Sequence, residues 1–214
     1  ASRGLGDVYK RQVGTVMPDV EVKIGENNEI LLRGKTITTG YYKKPEATAA
    51  VIDRDGWFHT GDAGYLKDSH LYLTERIKDL FKTSNGKYIS PQALETKLAI
   101  DRYIDQIAVI ADQRKFVSAL IVPVYGLVKN YAKEKGLEYK DMADLLQHPK
   151  VQALFRARID TLQQQFAHYE QVKRFTLLSE PFSMERGELT NTLKLKRSVV
   201  AKNYKELIDK MYEE

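Results

Sequence analysis

The apolar residues of this chain fall into two regimes, and that division limits the fold more than any single residue does. In the first, Val16 to Ile24 and Glu29 to Arg33 read as a β-hairpin around a Gly25 to Asn28 turn. GYYKKPEAT leads into a short helix, an Asp55-Gly56 turn precedes Trp57 and Phe58, and Leu71 to Thr74 alternates apolar and polar as a short strand does. From Ser90 the pattern changes. Ser90 is an N-cap residue and Pro91 suits a first helical position, which predicts a helix from Pro91 to about Ile100. The apolar runs Gln106 to Ala111 and Ser118 to Val124 read as paired strands. Helical segments follow near Leu127 to Lys135, Lys140 to Leu146 and Val151 to Phe166. The last places Val151, Leu154, Phe155, Ile159, Leu162 and Phe166 on one face, the pattern of core packing. Val172 to Leu178 is one more strand, and a final amphipathic helix carries Val199, Val200, Tyr204, Leu207, Ile208 and Met211. A β-rich front followed by mixed strands and helices is an α+β chain. It contains no internal repeat and no low-complexity segment.

Composition narrows the function classes. At 214 residues with 43% hydrophobic content, the chain can bury a sizeable core in one or two domains. It has no cysteine, so disulfides and thiolate catalysis are excluded. No apolar run is long enough to span a membrane, and no secretory signal is visible. The net charge of +5 is spread over interspersed lysines and acids rather than a basic block, so no nucleic-acid partner is expected.

Three glycine-bearing polar segments stand in one order: GWFHTGDAGYL (Gly56 to Leu66), TERIKDLFKTSNGKYISP (Thr74 to Pro91) and GELTNTLKLKR (Gly187 to Arg197). In the first, Asp62 follows Thr60 and the small Gly61, which lets backbone approach a ligand closely. A carboxylate there can accept hydrogen bonds from two neighbouring hydroxyls, although Gly-Asp is also an ordinary turn. His59 has no partner visible in the sequence and reads as a packed or solvated histidine. The Arg76 guanidinium has fixed donors and permanent charge, suited to a hydroxyl or phosphate; the alternative is a surface ion pair with Glu75 or Asp79. In isolation Lys78 is a solvated lysine. Ser84, Asn85 and Gly86 form a turn signal, in which Gly86 serves equally as a structural turn glycine. Lys194 carries a compact charge on a flexible stem, with Lys196 and Arg197 near enough to confuse the register.

Together these segments resemble the last three core motifs of the AMP-forming acyl-CoA synthetases, within the superfamily of acyl- and aryl-CoA ligases, peptide-synthetase adenylation domains and luciferases. The wording ELTNTLKLKR, with helical sequence before it, looks most like the long-chain fatty acid branch, and the resemblance runs from Val13 onward. It implies that residues 13–77 are the β-rich end of a large AMP-binding domain and residues 78–214 the small mobile α+β C-terminal domain with a helical insertion. It further implies that Asp62 and Arg76 grip the nucleotide ribose, that Lys78 is the hinge, and that the loop at Gly86 faces the pantetheine arm of CoA. Lys194 would be the catalytic lysine that reaches the acyl carboxylate and α-phosphate during adenylation and then withdraws. Many relatives carry Gly where this chain has Glu75, and Asn191 stands where a proline is common.

The implied reaction joins a fatty acid, ATP and CoA into acyl-CoA, AMP and pyrophosphate through an acyl-adenylate. Magnesium would neutralise the triphosphate, with its ligands expected upstream and no metal site within this chain. The phosphate loop, the glutamate-bearing central motif and the acyl tunnel of the family have no counterpart here, so the chain by itself is expected to be inactive without a missing N-terminal part. An aryl, medium-chain or carnitine-type ligase shares all three motifs, and a free-standing interaction module is the alternative of another class. The expected location is cytoplasmic, with peripheral contact at a membrane surface as the alternative because long-chain acids partition there. Finally, Asp7 to Gln12 reads DVYKRQ, which resembles the translation of a transposon-derived sequencing adapter, so residues 1–12 are expected to be an assembly artefact with the natural protein continuing upstream, a natural Arg/Lys-bearing N-terminal arm being the alternative.

Overall fold

The structure is a computed structural model that describes residues 12–213, and for Gln12, Glu75 and Lys78 the backbone alone. The expectation for residues 1–12 therefore lies outside the described residues, apart from the backbone of Gln12. The chain divides into two compact units after Leu80.

The first unit is a five-stranded antiparallel sheet in the order β1-β5-β4-β3-β2, with β1 (Gln12–Thr15), β2 (Val20–Ile24), β3 (Glu29–Gly34), β4 (Phe58–Lys67) and β5 (His70–Arg76). The single strand expected from Val16 to Ile24 is thus shorter and starts at Val20. Pro18 cannot donate to a ladder, and the chain turns there, closed by Val20 N–H to Met17 O at 3.0 Å. The β2-β3 hairpin forms around the expected turn, where Asn27 and Asn28 take φ of +55° and +59°, a region asparagine tolerates better than most residues. Asp68 and Ser69 at +50° and +62° make the two-residue turn between β4 and β5, a twist that matches antiparallel strands. Helix α1 (Pro45–Ala49) begins on its proline. The buried hydrophobics of this unit are Ile30, Leu31 and Ala63.

The second unit opens with a small hairpin, β6 (Phe81–Lys82) and β7 (Tyr88–Ile89), followed by α2 (Pro91–Leu98). Ser90 Oγ accepts from Ala93 N–H at 3.2 Å, so the predicted cap is in place. A three-stranded sheet in the order β10-β9-β8 carries the core, with β8 (Ile104–Ile110), β9 (Val117–Pro123) and β10 (Val172–Leu177). β8 and β9 are antiparallel and β10 is parallel to β9, which requires a long crossover. Helices α3 (Tyr125–Glu134), α4 (Met142–Gln147) and α5 (Pro149–Leu162) provide it.

Both sheet faces are covered, which is why β9 is buried along its whole length. Ile107, Val109, Ala119 and Ile121 pack with Leu94, Leu98, Val128, Leu145, Phe155 and Ile159. Ala108, Leu120 and Val122 face the other way, toward Phe182, Val200, Ile208 and Met211. Two helical expectations need correction. α5 stops at Leu162 rather than Phe166, although Phe166 still packs against the core. The final helix is broken into α6 (Arg197–Asn203) and α7 (Lys205–Lys210), because Tyr204 at φ −105° and ψ 21° leaves helical geometry. Among the described residues no helix is long and apolar enough to cross a membrane.

Candidate functional site

Asp62 lies where β4 departs from regular pairing. Glu29 pairs with Ala63 and Leu31 with His59, so Thr60, Gly61 and Asp62 all oppose Ile30 alone. Such a bulge re-aims side chains that a flat strand would keep in the pleat. Three hydrogen bonds hold it. Thr60 Oγ1 donates to Ile30 O at 2.7 Å and accepts from Asp62 N–H at 3.1 Å, while Gly61 N–H donates to Glu29 Oε1 at 3.0 Å. Gly61 has φ of +69°, a conformation that costs little only without a Cβ.

Arg76 is brought directly opposite Asp62 in the β4-β5 ladder, with Nε 3.4 Å from Oδ1. The guanidinium therefore pairs with Asp62. It is three-quarters exposed, so the pair contributes little stability and its donors remain open to a ligand. His59, which the sequence left without a partner, in fact has two: Nδ1 is 2.9 Å from Glu29 Oε2, and Nε2 is 3.7 Å from Asp53 Oδ2. The Asp53 carboxyl is held below its ordinary range, first by the Trp57 amide. Glu29 was invisible to sequence reasoning; its only signal was its place directly after the Asn-Asn turn. Lys78 falls in a short 3-10 turn, Ile77–Asp79, and its side chain lies outside the described residues.

In the second unit, Gly86 closes the β6-β7 hairpin with φ of +74° and donates N–H to Thr83 O at 2.9 Å. A Cβ placed on Gly86 would meet nothing within 4 Å. The hairpin is tied to the β8-β9 turn, with Ser84 N–H donating to Arg114 O at 3.0 Å and Gln113 N–H to Lys82 O at 2.8 Å.

Lys194 sits on a tight loop closed by a bridge between Leu189 and Leu195. Thr190 organises it: its N–H donates to Lys194 O at 2.8 Å, and its Oγ1 accepts from Lys194 N–H at 3.0 Å. The loop rests on Glu188, which is 1% exposed and accepts from Ser183 N–H at 2.9 Å, from Arg186 Nε at 3.1 Å and from Asn203 Nδ2 at 3.2 Å. Burial pushes the Glu188 carboxyl up, but these donors outweigh it and hold the group below the usual range. The sequence reading passed over Glu188 although it stands inside the third motif.

The structure narrows the register question. Arg197 is committed to Glu95, with Nη2 2.7 Å from Oε2, and Glu95 Oε1 also accepts from Val109 N–H at 2.8 Å. Lys194 and Lys196 are exposed, and neither ammonium bonds a side chain or carbonyl of the described residues.

Comparison with known proteins bears directly on these segments. The sequence model of the AMP-binding enzyme C-terminal domain matches residues 78–214, which include the Gly86 hairpin and the Lys194 loop. The chain belongs to this family. Among curated relatives, the peroxisomal long chain acyl-CoA synthetase 6 of Arabidopsis thaliana is 34% identical over 229 residues, covering 98% of this chain and 32% of the relative. A long-chain-fatty-acid–CoA ligase of Mycobacterium tuberculosis is 32% identical over 213 residues, covering 97% of this chain and 35% of the relative. The A-PCP didomain of a carboxylic acid reductase from Segniliparus rugosus, solved in complex with AMP, superposes with a TM-score of 0.67 at 25% identity, over 92% of this chain and 28% of that one. This AMP-binding family member is α+β, and it spans about a third of the length of the curated relatives it matches.

Proposed function

We propose that this chain supplies the C-terminal part of an AMP-forming long-chain fatty acyl-CoA synthetase. The observation that carries the reading is the bulge of β4, which presents the Asp62 carboxylate beside the open guanidinium of Arg76. A carboxylate accepting from two vicinal hydroxyls, next to a fixed fork of donors, matches the ribose of a nucleotide better than it matches an isolated phosphate. The AMP held by the carboxylic acid reductase neighbour supports a nucleotide as ligand, and the fatty-acid ligases among the relatives support the acid.

On this reading Lys194 supplies positive charge where two anions, the acyl carboxylate and the α-phosphate, must meet. Its exposed and unpaired ammonium can arrive and leave without breaking a protein contact. The carboxylate oxygen attacks the α-phosphorus, and the bond to pyrophosphate breaks. In the second step the CoA sulfur attacks the acyl carbon, its proton is released, and AMP leaves. Lys78 is the hinge between the two steps, and the hairpin at Gly86 faces the pantetheine arm of CoA. Among the described residues no group of three or more His, Asp or Glu side chains could hold a metal ion.

The test is acid-dependent AMP release by the product of the full open reading frame that encodes this chain, with palmitate compared against benzoate. Lys194→Ala is expected to slow adenylation by about 100-fold or more, the usual worth of a group that meets charge in the transition state. Thioester formation from supplied acyl-adenylate should fall far less, and Lys196→Ala should spare both steps. Equal loss of both steps in Lys194→Ala would remove the role given to it, and preference for benzoate would move the substrate to an aryl acid.

A further inference from the structure

The carboxylate beneath the bulge, Glu29, stands outside the three polar segments read from the sequence. We infer that Glu29 is the positioning residue of the nucleotide site, a bidentate clamp that fixes the direction in which Asp62 points. This rests on the ribose-binding reading of Asp62 given above.

The geometry is specific. Glu29 spends one oxygen on the Gly61 amide at 3.0 Å and the other on His59 Nδ1 at 2.9 Å, so both lone-pair directions that matter are occupied from β4. Gly61 is the residue directly before Asp62, and its φ of +69° is the torsion that throws the carboxylate out of the strand. A glycine at such a torsion has many alternative conformations, and its own hydrogen bond is what selects one. Thr60 restrains the backbone on either side, to Ile30 O and from Asp62 N–H, but makes no bond to Gly61. Glu29 alone among the described residues holds that amide. Its side chain is 18% exposed, which keeps the bond sheltered from water.

His59 acts one step further out. Its ring is held between Glu29 and Asp53, and Asp53 is itself fixed by the amides of Asp55 and Trp57 at 3.0 and 2.8 Å. The nearby Arg33 lies over the Trp57 ring at 4.4 Å and donates to Asp55 O and to Glu21. The charged groups around the clamp are therefore His59 and Asp62 of β4, Arg76 of β5, Asp53 from the turn before β4, and Arg33 of β3. A carboxylate at position 29 satisfies both Gly61 N–H and the imidazole at once. Glutamine can keep the bond to Gly61 and lose only the charge, whereas alanine releases the amide.

The experiment is nitrogen-15 NMR of the product of the full open reading frame, as wild type, Glu29→Gln and Glu29→Ala, with pH titration followed by titration with AMP. With the neighbouring carboxylate removed by Asp62→Asn, the Gly61 amide should still follow a carboxylate titration, which should vanish when Glu29→Gln is added while the amide keeps its hydrogen-bonded shift. AMP affinity should stay within about twofold of wild type in Glu29→Gln and fall about tenfold in Glu29→Ala, the worth of a hydrogen bond to a charged group. A Gly61 amide that ignores carboxylate titration in Asp62→Asn overturns the inference, as does undiminished AMP affinity in a folded Glu29→Ala. If Glu29→Ala does not fold, the Gly61 titration in Asp62→Asn with and without Glu29→Gln decides. If AMP perturbs no resonance of the wild type while the Gly61 titration is present, the clamp stands and the nucleotide reading of the site falls.

Discussion

Replacing Glu188 by alanine should loosen the lysine loop and destabilise the second unit by about 3 kcal/mol. The magnitude follows from what the carboxylate holds. Ser183 N–H and Asn203 Nδ2 would each lose an acceptor at a site that is 1% exposed, at about 1 kcal/mol apiece. The Arg186 pair adds about 1 kcal/mol after allowance for solvent screening, because the guanidinium is 39% exposed. For a unit of this size that is a fall of roughly 10 °C in melting temperature. Glu188→Gln keeps the shape and one acceptor and should lose about half as much.

The two variants also separate charge from shape through pH. Glu188 titrates lower in the folded chain than in the unfolded one, so between those two values the unfolded state binds more protons. Its contribution is fully present above the ordinary glutamate range and is lost as pH falls through the folded value. The gap between wild type and Glu188→Gln, measured by urea denaturation, should therefore close as the solution is acidified from about pH 7 to about pH 3. A Glu188→Ala melting temperature equal to wild type would refute the anchor. A gap unchanged over that pH interval would refute the assignment of charge.

Gly64→Ala should cost about 2 kcal/mol or more by overpacking. A Cβ there would lie 2.3 Å from Tyr72 O and 2.6 Å from Ile30 Cδ1; the isoleucine can turn aside but the carbonyl belongs to β5, so the strands must part. The β4-β5 register shifts between Ala63 and Gly64; urea denaturation followed at Trp57 measures the cost, and unchanged stability would show that this irregularity absorbs the methyl. Leu193→Gly should stabilise the chain by about 0.5 kcal/mol, since leucine is strained at the left-handed torsion observed. Leu193 has φ of +59° and is 68% exposed, so little burial is given up. A fall in melting temperature would mean that its side chain packs in solution.

The order of the three polar segments, the α+β class, the β2-β3 hairpin and the Ser90-Pro91 helix start were all legible in the chain itself. Each depends on interactions between residues near in sequence: turn torsions, a cap, an alternating or helical period. Asp62, Gly86 and Lys194 were singled out without coordinates by the resemblance of their segments to known motifs, not by a local interaction. Helix ends were less legible, since Tyr204 interrupts an apolar pattern that continues unbroken from Val199 to Met211.

What only the tertiary structure decided are the partnerships across long separations. The bulge over Ile30 arises from ladder registry between strands β3 and β4, and no local pattern specifies how many residues one strand will set against another. The registry of β4 with β5 places Arg76 against Asp62, while that of β3 with β4 delivers Glu29 to Gly61 and His59, thirty or more positions away in the chain. Arg197 was removed from the list of free cations by Glu95, which stands about a hundred residues earlier. Sequence thus determined which chemical groups the chain carries and the local turns that bear them. Packing determined which groups are paired and which remain open, because pairing depends on distance in space and charge in sequence carries no record of it.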